Sequence, residues 1–112
     1  MSNAAPQRHH KAVSELRNVA VDLSGLLDVG ELLTGTPTVL EVTTTALTLS
    51  SKIVNTTAIT VNGTVLLIGQ AVQFRVAGGL ADTAYTVRIT VGTNAAPAQT
   101  LVVTLYLRVV AD

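Results

Sequence analysis

The chain has 112 residues, a formal net charge of zero, 48% hydrophobic residues and only 12% charged ones. That length supports one domain around one core. The balanced charge argues against a nucleic-acid or anionic-membrane binder, and the absence of cysteine excludes disulfides and thiolate metal sites.

An ordinary domain is about 25% charged. Thr, Ser, Asn, Gln and Gly fill the difference here, which gives a neutral polar surface. Such surfaces associate more readily than charged ones. The longest unbroken apolar run is Val65-Leu66-Leu67-Ile68, far short of the ~20 residues of a spanning helix. No membrane partner is expected. The N-terminus lacks the apolar core of a signal peptide, which predicts a protein made in a cytoplasm.

Residues 1–12 are polar, small and weakly basic, with Arg8, His9, His10 and Lys11. They read as a flexible N-terminal arm, and residues 13–112 as the folded domain. Val13 and Leu16 are spaced for one turn of helix, too short to stand alone; an extended segment fits equally well. Asn18 to Leu23 alternates polar and apolar, as a half-buried strand does. Leu26, Leu27, Val29, Leu32 and Leu33 are interrupted by Gly25, Gly30 and Gly35, so a partly buried irregular loop is expected.

From Pro37 the strand signals dominate. Thr38–Val42 and Ala46–Ser50 are two strands, the second with a possible extension through Ile53. Thr57–Val61 and Thr64–Ile68 flank Asn62-Gly63. Asn-Gly between such runs predicts a hairpin, because its tight turn needs positive φ at both central residues. After a turn at Gly69-Gln70, Ala71–Val76 alternates cleanly, with Val72, Phe74 and Val76 inward. Two long strands close the chain. Tyr85, Val87, Ile89 and Val91 share one face of the first, with Thr86, Arg88 and Thr90 on the other. Leu101, Val103, Leu105, Leu107 and Val109 share one face of the last. The loop between them, Thr93–Ala98, is small-residue and expected to be mobile. The pattern predicts an all-β fold, an immunoglobulin-like antiparallel β-sandwich of about seven to eight strands.

Nothing in this pattern specifies a reaction. His9-His10 lacks a nearby carboxylate and makes a poor metal site. The seven acidic residues include no pair at acid/base spacing. Asp82 fits an Asx turn. Gly78-Gly79 has no helix after it, so it reads as a tight turn and not a phosphate loop. Tyr85, just after Leu80-Ala81-Asp82-Thr83, stands where sandwich domains place a tyrosine that bonds back to the preceding turn. Catalytic residues, metals and cofactors are therefore not expected. Arg75, Arg88 and Arg108 form a basic stripe only if their strands are neighbours, and they lack the interleaved aromatics of a nucleic-acid surface.

Lys11 to Ser24 resembles the entry segment of small Ig-like fiber-tail adaptor proteins of tailed bacteriophages. In that family a Lys and an acidic residue precede a hydrophobic strand ending in Asp, an apolar or aromatic residue, and Ser. Lys11, Glu15 and Asp22-Leu23-Ser24 match it. Gly30-Glu31-Leu32-Leu33 is similar to the family's Gly-Glu entry to the next strand, and Gly78-Gly79 with Tyr85-Thr86-Val87 to its later turn and strand. The likeness spans residues 11–110 in outline. It departs at Leu23, where an aromatic is common, and in a longer, Thr-rich middle from Thr43 to Gln70.

The resemblance implies a non-enzymatic virion structural protein, made in the host cytoplasm and bound to tail, neck or fiber proteins. A capsid decoration protein is the alternative. A many-copy homo-oligomer is expected. Candidate interface residues are Arg8 and Lys11 on the arm, and Arg88, Tyr106 and Arg108 on the outer faces of the last two strands. A sugar-binding adhesive module is a weaker reading, because Tyr85 and Tyr106 are its sole stacking candidates.

Overall fold

A computed structural model describes residues 7–112 apart from 43, 45 and 62, with residues 7–9 described by their backbone. The described residues form nine strands. These are β1 (Gln7–Ala12), β2 (Arg17–Asp22), β3 (Leu33–Glu41), β4 (Leu47–Val54), β5 (Ile59–Val61), β6 (Thr64–Leu66), β7 (Ala71–Gly78), β8 (Thr83–Thr93) and β9 (Thr100–Val110). The fold is all-β. One sheet has the order β1-β9-β8-β3, a second β2-β7-β4, and β5-β6 is a separate hairpin. Among the described residues no helix is long and apolar enough to cross a membrane.

Alternation of apolar and polar side chains builds both larger sheets. Tyr85, Val87, Ile89 and Val91 of β8 are buried, as are Leu101, Val103, Leu105, Leu107 and Val109 of β9. Their register sets Val87 opposite Leu105 and Ile89 opposite Val103. Val19 and Val21 of β2 and Val72, Phe74 and Val76 of β7 join the same core cluster from the second sheet. This shared core is consistent with a β-sandwich. Each buried aliphatic contributes roughly 1.5–3 kcal/mol, so a core with one Phe and no Trp is built from many small contributions.

Two expectations are corrected. The N-terminal dozen is not uniformly a flexible arm: Gln7–Ala12 form β1 and pair in parallel with β9, from Gln7 beside Leu105 to Ala12 beside Val110. Residues 1–6 lie outside the described residues. Consequently the larger sheet is mixed and not purely antiparallel, and β1 is the strand beyond the expected seven to eight. Its sequence, QRHHKA, has no apolar alternation, so the ladder to β9 supplies what side-chain patterning does not.

The turns follow local chemistry. Ser24–Leu26 form a short 3-10 turn, with Leu26 buried inside an otherwise irregular loop. Its entry is fixed by Asp22, whose carboxylate accepts bonds from the Ser24 N–H (2.8 Å) and hydroxyl (2.6 Å). Gly63 has φ +80°, and Val61 pairs with Thr64 across the expected hairpin; Asn62 lies outside the described residues. Gly79 has φ +95°, and a Cβ there would stand 2.7 Å from Val109 Cγ2. Only glycine fits that crossing from β7 to β8. The Tyr85 hydroxyl then accepts a bond from the Leu80 N–H at 2.8 Å, the corner chemistry expected of it. In β4 the register shifts between Ser50 and Ile53, and Ser51 takes φ 52°, which marks a bulge.

Asn55 holds the β5–β6 hairpin to the body. It is buried, and its Oδ1 accepts from the N–H groups of Gly69, Gln70 and Ala71 at 3.0–3.1 Å. Its Nδ2 donates to the carbonyls of Thr57 and Leu67 at 3.0 and 2.8 Å. One side chain thus ties both ends of the excursion together.

Candidate interaction surface

The outer face of the four-stranded sheet carries the sequence-derived candidates. In β8 and β9 the residues between the buried positions point away from the core. Register then sets the rows. Tyr106 lies beside Thr86, and the Val42 N–H donates to the Thr86 carbonyl at 2.9 Å, which extends that row past the end of β3. On the other side Arg8 occupies the register position next to Tyr106. The next row is Leu40, Arg88 and Thr104, followed by Thr38, Thr90 and Val102. Arg108 sits between Ala84 and His10.

This face mixes exposed apolar side chains with threonines, with Arg88 in its middle row and Arg108 towards one end. Leu40 and Val102 are each 54% exposed and Tyr106 39%. Arg108 lies 3.9 Å from Asp82, with both side chains well exposed; such a surface pair is worth little. Arg88 is exposed and has no ion-pair partner among the described residues. Tyrosine and arginine, which this face exposes, are among the residues enriched at protein interfaces.

One sequence expectation fails here, and one stated condition is not met. Lys11 is not presented on this face. It is 1% exposed, next to Val109 in register, and its ammonium donates to the carbonyls of Ala12 (2.5 Å) and Val13 (2.9 Å). The parity of β1 turns this lysine inward, while His10 is exposed. Nor do the three arginines form one stripe. Arg75 is on β7 in the other sheet, where its Nε donates to Asn18 Oδ1 at 3.0 Å.

The loop between β8 and β9, expected to be mobile, is tied at its base. Thr93 is buried, its N–H donates to the Gln99 carbonyl at 2.9 Å, and its hydroxyl accepts from the Gln99 N–H at 3.2 Å.

Three carboxylates elsewhere in the chain accept from backbone N–H groups and hydroxyls. Buried Glu31 accepts from the Asp28 N–H at 3.0 Å and the Thr93 hydroxyl at 2.8 Å. Glu41 accepts from the Leu47 N–H at 3.0 Å and the Thr44 hydroxyl at 2.7 Å. Asp112 accepts from both the hydroxyl and the N–H of Ser14. These two bonds, the hydroxyl's first, hold its carboxyl below the usual aspartate range. Among the described residues no three His, Asp or Glu side chains gather as a metal site would require.

Family models, curated proteins and solved structures yield no match to this chain.

The sheet face is therefore characterised by its own residues. Leu40 and Val42 are the members that sequence reasoning missed. The signal was present: Val39-Leu40-Glu41-Val42 puts an apolar residue on each side of one strand. Only the β3–β8 register aligns them with Arg88 and Tyr106.

A second exposed apolar region lies at the hairpin end. A cleft of about 410 Å³ opens there between β3, β4 and the β6–β7 turn, lined in part by Leu32, Lys52, Ile53 and Ile68. Val65 of β6 and Leu67 just after it are also exposed.

Proposed function

We propose that this chain is a non-enzymatic structural protein of a bacteriophage virion, an immunoglobulin-like sandwich that attaches to other virion proteins at the tail, neck or fibers. The outer face of the four-stranded sheet carries this reading: Tyr106 and Val102 on one side and Leu40 and Val42 on the other are exposed apolar residues flanking the Thr86, Arg88, Thr90 row of β8, and Arg88 has no ion-pair partner among the described residues. The immunoglobulin-like assignment is supported by the strand orders β1-β9-β8-β3 and β2-β7-β4 and by the Tyr85 corner. The resemblance of the segments around Asp22 and Tyr85 to fiber-tail adaptors supports the viral setting. A domain of zero net charge with only 12% charged residues suits a component held permanently among neighbours.

The test is incorporation into particles. Purified virions should contain the chain, and the double variant Arg88→Glu, Tyr106→Ala should fold but be lost from them. A ring-sized number of copies supports the tail or neck. A shell-sized number, or labelling over the head, replaces this reading with capsid decoration. Absence of the chain from purified particles refutes both.

A further inference from the structure

We infer that the cleft beside the β5–β6 hairpin is the contact through which two copies of this chain pair, each inserting its Val29 turn into the other's cleft. This goes beyond the proposed function and takes up the homo-oligomer expected from the sequence. Its test uses the isolated chain, so it can fail while the virion assignment stands.

The argument starts with unpartnered groups at one end of the molecule. Val29 is fully exposed, at the tip of a turn closed by the Glu31 N–H donating to the Asp28 carbonyl at 3.0 Å. A second bond, from the Asp28 N–H to the Glu31 carboxylate, braces the same turn. Glu31 is itself buried and bonded to Thr93. The turn is thus a rigid apolar knob. Three residues on, Leu32 lines the cleft together with Ile53 and Ile68, and all three are exposed. Knob and cleft are neighbours on one surface. A two-fold contact is self-complementary in that way: residue i of one copy meets residue j of the other, and j meets i.

Charge selects a second copy over other occupants. Asp28, adjacent to the knob, is exposed and its carboxylate makes no ion pair or hydrogen bond among the described residues. Lys52, lining the cleft, likewise has no partner there. The two-fold operation that seats Val29 in the cleft brings Asp28 of each copy towards Lys52 of the other. The apolar surface is covered and two unpaired charges of each chain are matched. The chain's zero net charge leaves no long-range repulsion against such pairing.

Charge reversal on the full chain tests this, read by sedimentation equilibrium. The wild type should be a dimer in the micromolar range. Asp28→Lys and Lys52→Asp should each weaken dimerisation about tenfold or more, the loss of a matched interfacial charge pair, and the double reversal should restore it. Arg17→Glu, at the end of β2 remote from the β6–β7 turn, should leave it unchanged. A wild type that stays monomeric overturns the proposal. So does a dimer indifferent to both reversals, a double variant no better than the singles, or a dimer broken by Arg17→Glu instead.

Discussion

The ammonium of Lys11 lies 2.9 Å from the carbonyl oxygen of Val13, two residues along the same chain. A buried cation is thus satisfied almost entirely by its own strand and turn, since its other acceptor is Ala12. Removing an ammonium from water costs several kcal/mol, which local hydrogen bonds offset only in part. Lys11→Met keeps the length of the stem and removes the charge. We expect an equal or higher melting temperature for this variant by thermal denaturation. A loss of more than about 1 kcal/mol would mean that the two carbonyl bonds outweigh the desolvation they offset.

Asn55 supports a sharper expectation. Its side chain makes five hydrogen bonds to backbone on both sides of the β5–β6 excursion. Alanine would leave buried N–H groups unpaired, at about 1–3 kcal/mol for each one not rescued by water. Asn55→Ala should therefore lower stability by about 2–4 kcal/mol in urea titrations. Hydrogen exchange should quicken first over residues 56–70, ahead of β8 and β9. Uniform quickening across the chain would count against a local latch.

The Ser14–Asp112 contact predicts a pH dependence. The Ser14 hydroxyl and then its N–H lower the Asp112 pKa, with Lys11 contributing as a nearby positive charge. A carboxylate whose pKa is depressed by folding stabilises the fold above its unfolded pKa. That contribution fades as pH falls below the ordinary aspartate range and through the folded value. Wild type and Asp112→Asn should thus differ most in melting temperature near neutral pH, and converge in acid. A difference that grows with acidification would contradict the assignment.

Much of the sandwich was legible in the sequence, for a physical reason. Strands β7, β8 and β9 each have one face in the core and the other outside it, so a period of two is written into their residues. Tyr85 was legible because its role depends on a turn only a few residues away. β1 was not, because a strand held by backbone pairing at a sheet edge leaves no apolar alternation in QRHHKA. Lys11 was misplaced for a related reason: charge ordinarily signals exposure, and only the ladder to β9 reveals which way it faces. On the candidate surface, parity within β8 and β9 was enough to group Arg88, Tyr106 and Arg108. Adding Leu40 and Val42 required cross-strand register. The hairpin-end cleft joins β3, β4 and the turn before β7, and no local window contains such an arrangement.

The parallel pairing of β1 with β9 has a mechanical consequence. The chain leaves β1 backwards at Gln7 and leaves β9 forwards at Val110, at opposite ends of one ladder of six paired positions. Tension applied along the chain outside these two strands would pull them past each other lengthwise. Every rung of the ladder would then bear the load together, where an antiparallel edge pulled from one end yields rung by rung.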